Sequence, residues 1–449
     1  MAVRFRRCVA RHLFDGMSPG GKAARRKREA VVGGVDYLSA LPVDLRLKVM
    51  SLLPSRDAVR TSVLARSWRN QWQEVRSLRA TDDRDFHSEN DLNKFINHLL
   101  ILRNRKPLVP LDVVDIKSYG YQEFDHTEAF RYIDVWIRRA LQLQVEDLRV
   151  CITLEEIMGE EYNIECCPLP DKLITSECLT KLELTRVQLQ DNSLYFSSCP
   201  VLKDLKMKFC LLRINIIASP SLEHLRLTHC GFELDTRTRI SAPSLISLEL
   251  VDCRGRTPFL QNMPFLVSAI VRLRGCSDYC ANSYETGDCG DNSCEGCTGS
   301  NIGNHTCVLL EGLSGSTNLD LTAETGVFIL RKDLTRCPVF SKLKTLLLND
   351  WCITGSISPL LCFLQHSPAL EKLTLQLPEV PAVLVETGGS YDIKNQPLVL
   401  ERLTVEVKCH KLDERVLKIL EVLGSCGIPP EQIKILQPSK EIKSRCKDP

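Results

Sequence analysis

The pattern Leu-x-x-Leu-x-Leu constrains this chain more than any other feature. It recurs at Leu179-Leu182-Leu184, Leu202-Leu205-Met207, Leu222-Leu225-Leu227, Leu245-Leu248-Leu250, Leu343-Leu346-Leu348 and Leu370-Leu373-Leu375, with a late copy at Leu400-Leu403-Val405. The first four copies start 23, 20 and 23 residues apart, and the last three start 27 and 30 apart. Weaker copies stand at Leu108-Leu111-Val113 and Val145-Leu148-Val150. A strand turns alternate side chains to one side, so each unit offers a short apolar edge that it cannot bury alone. Neighbours must stack above and below to form one continuous core. The pairs Cys199-Pro200, Ser219-Pro220 and Ala242-Pro243 fall just before strands, where proline ends the connection without adding an amide donor.

A period of about 20–29 residues is that of leucine-rich repeats. It predicts an α/β fold, a curved repeat solenoid with one strand and a helical or irregular segment per unit. At 449 residues the chain exceeds what one compact core serves, and an elongated array accounts for the excess. Its 44% hydrophobic and 25% charged residues fit a folded chain, and a net charge of +2 gives no global field for nucleic acid or anionic membrane. The expectation is therefore no nucleic-acid partner and no membrane partner. No run reaches the roughly 18 apolar residues of a membrane span. With no apolar signal segment ahead of the first structured region, the 21 cysteines read as reduced thiols, and Cys199, Cys210, Cys230 and Cys253 read as small buried hydrophobes. The sequon at Asn304 then carries no meaning.

Residues 1–34 are basic, rich in Gly and without apolar periodicity, and read as a disordered tail. The cluster Lys22 to Arg28 is either a nuclear import signal or a solvated charge run, with a transit peptide or a start at Met17 as further readings. The expected location is the nucleus and/or the cytoplasm. From Leu38 to Val75 the spacing turns helical, with Leu41, Leu45, Val49, Leu52 and Leu53 on one stripe, then Val59 and Val63, then Trp68, Trp72 and Val75. Three short helices fit, with Ser39 and Ser55 as N-caps and Pro54 as the stop of the first. A unit of about 40 residues is too small to bury all these side chains, so it calls for a partner surface.

The run from Asp36 through Leu41-Pro42, Asp44-Leu45, Leu52-Leu53-Pro54 and Val63-Leu64 to Ser67-Trp68-Arg69 resembles a plant-type F-box over the whole motif. Asp44 stands where that family often has glutamate. The segment Phe340 to Leu373 is similar to the C-terminal, FBD-like part of the plant F-box/leucine-rich-repeat family. The resemblance implies that Leu41, Pro42, Leu45, Val49, Leu53, Val63 and Trp68 bind a Skp-type adaptor, and through it the cullin and RING subunits of a ubiquitin ligase. Each also has a reading as the domain's own core, and at least one of Trp68 and Trp72 should pack inward. The repeats would hold an unidentified protein substrate. The domains expected are the tail 1–34, the helical domain 35–76, a linking segment 77–105, the repeats 106–410 with a Cys-rich insertion at 275–307, and a helical cap and tail over 411–449. In the cap, Val416, Leu417, Leu420 and Leu423 are expected to face inward.

Chemistry has one candidate. Cys294-x-x-Cys297 has chelate spacing, and Cys276, Cys280 and His305 are possible completing ligands for zinc. The second pair is stretched, so the insertion reads as a loop with incidental cysteines, and no cofactor is expected. Phosphate-binding, HExxH and GxSxG motifs are absent from the sequence. Glu155, Glu156, Glu160 and Glu161 read as a solvated acidic face. The chain is thus expected to be non-catalytic, a receptor subunit of a ligase, with a free repeat scaffold as the alternative.

Overall fold

The structure is a computed structural model that describes residues 37–80, 89–103, 110–120, 126–154, 166–169, 174–190, 194–234, 236–261, 263–276, 307–324, 327–354, 356–379 and 402–437. The basic tail, the acidic cluster at 155–161, and Cys280, Cys294, Cys297 and His305 lie outside them. The chain is mixed α/β and divides into two compact units, within residues 1–170 and 174–188 and within 171–173 and 189–449.

The first unit opens with helices α1 (Tyr37–Ala40), α2 (Val43–Ser51) and α3 (Ser55–Arg60), followed by single 3₁₀ turns at Thr61–Val63, Arg66–Trp68 and Gln71–Gln73. Prolines take the N-cap positions: Pro42 precedes α2 and Pro54 precedes α3, each at φ near −50°, the value its ring enforces. Ser39 and Ser55 therefore do not cap as their positions suggest. The Ser39 hydroxyl instead accepts the Trp68 indole N–H at 3.0 Å, and Ser55 Oγ accepts the backbone N–H of Arg79 at 2.8 Å.

Strand β1 (Ser77–Ala80) then starts a parallel ladder with β2 (Val113–Gly120), β3 (Asp147–Leu154) and β5 (Lys181–Thr185), while the two-residue β4 (Cys167–Pro168) pairs with the start of β6 (Val187–Gln190). Register places Leu78, Val114, Leu148 and Leu182 in one buried row. Helices α4 (Glu89–Arg103) and α5 (His126–Gln142) form the connections, and the Trp136 indole N–H donates to Asn93 Oδ1 at 3.2 Å between them. The stretch 77–105, read from sequence as a link, thus supplies a ladder strand and a packed helix. Ser77 Oγ and Arg79 Nε donate to the Ser51 carbonyl at 2.8 and 3.2 Å, which ties the helical domain to β1. The buried Arg103 guanidinium donates to the Trp72 and Val75 carbonyls, and burial lowers its pKa to about 10.

In the second unit, β7 (Asp204–Lys208), β10 (His224–Thr228), β13 (Ser247–Gly255), β15 (Ser268–Cys276), β16 (Asn318–Ala323), β17 (Thr345–Asn349), β18 (Lys372–Gln376), β19 (Thr404–Lys408) and β20 (Ile433–Leu436) all pair parallel, with a register shift only between β13 and β15 after Val251. One inward row runs Leu205, Leu225, Leu248, Ala269, Leu319, Leu346, Leu373, Val405, and the next runs Met207, Leu227, Leu250, Val271, Leu321, Leu348, Leu375, Val407; all are buried. Between the early strands the connections are themselves extended: β8 (Leu211–Arg213) pairs with β11 (Gly231–Phe232), and β9 (Ile216–Ala218), β12 (Arg239–Ser241) and β14 (Phe259–Leu260) form a small parallel sheet. Later connections carry α6 (Leu310–Leu313), α7 (Phe328–Leu334) and α8 (Ser358–His366). Helix α9 (Glu414–Ser425) buries Val416, Ile419 and Leu423 and leaves Leu417 exposed, which corrects the expected inward set. It does not end the ladder, because β20 follows it and pairs with β19.

Each early turn leaves its strand in the same way. Arg186, Phe209, His229 and Asp252 all have φ between 50 and 57°, at equivalent positions after the ladder segments of β5, β7, β10 and β13. Left-handed backbone at non-glycine residues is held only where surrounding structure enforces it. Here the next residue does so: Cys210, Cys230 and Cys253 turn their buried sulfurs inward, and the thiols donate to the carbonyls of Lys208, Met207 and Leu227 at 3.3–3.5 Å. The cysteines of the early repeats are structural thiols.

Candidate functional site

Helix α2 is built inside out. Its buried residues are Arg46 and Met50, while Leu45, Val49 and Leu52 form an i, i+4, i+7 stripe that is 49, 46 and 72% exposed. The 3₁₀ turn Thr61–Val63 presents Val63, and Leu64 follows it, 76 and 63% exposed. Pro42 and Val43 are exposed at the start of α2, and Leu41 and Leu53 are half-buried. A helix normally turns its apolar stripe to the core, so an exposed stripe of this kind marks a surface meant for a partner.

Trp68 lies elsewhere. It is 4% exposed, its N–H held by Ser39, with the Arg46 guanidinium 5.7 Å over its ring. The side chain that the sequence grouped with the surface residues therefore braces them from beneath. Arg46 is what frees the stripe: its aliphatic stem and guanidinium occupy the inward position that a leucine would otherwise fill. Trp72 is buried as well. Residues 38–79 match the F-box domain family.

Three relatives from Arabidopsis thaliana extend the likeness beyond this domain. An FBD-associated F-box protein is 29% identical over 267 residues, covering 54% of this chain and 59% of its own length. F-box/LRR-repeat protein 13 is 25% identical over 400 residues, 82% of this chain and 80% of its own. An F-box/FBD/LRR-repeat protein is 28% identical over 283 residues, 60% and 58%. Together the matched domain and these relatives make the chain similar to plant F-box/leucine-rich-repeat proteins. It spans less than two thirds of the first and third of these relatives.

The outward face of the second unit's ladder carries a second feature. A cleft of about 210 Å³ runs across β15 to β18, with Ile270 and Leu347 as apolar walls and Ser268, Asp320, Lys372 and Thr374 as polar ones. Burial pushes the Asp320 carboxyl above its ordinary pKa, opposed by Arg272, whose guanidinium lies 3.8 Å away. Lys372 is paired with Glu406 at 2.8 Å. Sequence reading missed this place because β15 carries Ala269 and Val271, and the copy that leads into β16 opens with Ser316, where the template has leucine. Of the cysteines proposed for zinc, Cys276 closes β15 and the other three lie outside the described residues. Among the described residues no helix is long and apolar enough to cross a membrane.

Proposed function

We propose that this protein is the substrate-recognition subunit of a Skp–cullin–F-box ubiquitin ligase. The exposed stripe of Leu45, Val49 and Leu52, with Val63 and Leu64, docks a Skp-type adaptor, through which the cullin and RING subunits join. The parallel ladder, as a curved leucine-rich-repeat solenoid, holds the protein target on its outward face, with the cleft between Ile270 and Leu347 as the first place to look for contact. The chain itself does no bond chemistry; tethering a target beside a charged ubiquitin carrier raises the effective concentration of its lysines. Nucleus and cytoplasm are the compartments proposed.

The observation that carries this reading is α2, whose Leu45 and Val49 face solvent, with Leu52 just after it, while Arg46 shares the inner place with Met50. The hydrogen bonds from Ser77 and Arg79 to Ser51 support it further, because a receptor must hold its docking domain in a fixed pose. The test is co-purification of the full chain with a Skp-type adaptor, comparing the parent with Leu52→Glu plus Val63→Glu. Both positions are mostly exposed, so the variant should fold as the parent does by circular dichroism. Adaptor retained by the parent and lost by the variant supports the proposal; a parent that ignores the adaptor overturns it and leaves a free repeat scaffold.

A further inference from the structure

The second unit holds a cluster that the proposed function does not use. Cys337 sits in the turn after α7, while Cys362 and His366 lie one helical turn apart on one face of α8. The two thiol sulfurs and a ring nitrogen of His366 all fall within 4.8 Å of one another. Cys362 is buried and the other two are half-buried. From this geometry we propose that Cys337, Cys362 and His366 bind a zinc ion. The inference stands apart from the ligase reading and holds whether or not an adaptor docks.

Zinc is bound at about 2.3 Å by sulfur and about 2.0–2.1 Å by imidazole nitrogen, so a tetrahedral site has edges of about 3.8 Å between sulfurs and about 3.6 Å from sulfur to nitrogen. A cluster already drawn within 4.8 Å closes on the ion with shifts of about an ångström at each side chain. Two soft thiolates with one imidazole select zinc over the hard cations, which take oxygen. His366 Nδ1 lies 2.8 Å from the Cys362 carbonyl. The same Nδ1 lies 3.8 Å from the Cys362 sulfur, so it is the ring nitrogen on the thiol side, and an ion bound there would take the place of the proton it shares with that carbonyl.

Cys307 donates to the carbonyl of Arg336, the residue before Cys337, at 3.1 Å. It is available for the fourth position. An ion here would join the end of the Cys-rich insertion, the turn after α7 and the helix α8.

The experiment is metal analysis of the full chain, purified with zinc supplied and then freed of loose metal by gel filtration. The expected result is about one zinc per chain in the parent and in Cys294→Ser plus Cys297→Ser, and background zinc in Cys337→Ser plus Cys362→Ser. His366→Cys replaces one ligand by another, so it should keep zinc and strengthen the thiolate charge-transfer absorption of the cobalt-substituted protein. A zinc-free parent overturns the proposal, as does a Cys337/Cys362 variant that keeps its zinc or a His366→Cys cobalt spectrum identical to that of the parent.

Discussion

Asp333, near the end of α7, is the buried carboxylate on which the chain next to the insertion depends. Its Oδ1 accepts the backbone N–H of Val308 at 2.9 Å, and its Oδ2 accepts those of Leu309 and Leu310 at 2.7 and 3.0 Å. These are the amides that open α6, which no residue of its own caps. Burial pushes the carboxyl pKa up, against the pull of those donors. In Asp333→Ala three buried amides lose their partner, each at about 1–3 kcal/mol before relaxation, which gives a total of about 3–6 kcal/mol. Asp333→Asn keeps one oxygen for Leu309 and Leu310 but points an amide N–H₂ at Val308, for about 1–2 kcal/mol. Urea unfolding followed by far-UV circular dichroism, with hydrogen exchange at Leu309 and Leu310, reads both. An alanine variant within about 1 kcal/mol of the parent, or an asparagine variant less stable than the alanine, would refute this account.

Trp68→Ala should cost about 3–5 kcal/mol in thermal or urea unfolding, because it empties the floor beneath the docking stripe. Ser39→Ala removes only the partner of its indole N–H and should cost about 1 kcal/mol in the same assay. Asp413 caps α9 through the amides of Arg415 and Val416, and its hydrogen bond to the Arg415 guanidinium holds its carboxyl below the usual carboxylate pKa. A depressed folded pKa gives stability that is present above the unfolded value near 3.9 and is lost as pH falls through the folded one; unfolding free energies from pH 2 to 7 should show this in the parent and not in Asp413→Ala, which is about 1 kcal/mol weaker at neutrality. Gly255→Ala sets a Cβ against the Phe232 backbone at a φ of +83°, and should lower the unfolding midpoint by more than any exposed Gly→Ala change.

The ladder was legible wherever leucine filled the template, because burial of alternate residues leaves a period that chemistry cannot disguise. β1, β15 and β16 escaped notice since Ala80, Ala269 and Ser316 satisfy small inward sites without resembling leucine. The stripe on α2 was legible as a helical period, yet periodicity has no sign: it reports that Leu45, Val49 and Leu52 share a face and not that the face is outward. Only the partner side of the helix, Arg46 over Trp68, decides that. The cluster of Cys337, Cys362 and His366 was out of reach for another reason, as ligands 25 residues apart meet through the return of the chain across α7 and α8. Close pairs such as Cys294-x-x-Cys297 drew attention in their place.

The register between β15 and β16 has a practical reach. Ser268 pairs with Asn318 and Leu273 with Ala323, step for step, although 41 residues separate the end of one strand from the start of the next. Whatever lies between them adds no rung and removes none. That junction is accordingly a port for engineering: a reporter or affinity module placed between Cys276 and Cys307 would ride on the scaffold while leaving the stripe on α2 and the cleft across β15 to β18 as they are.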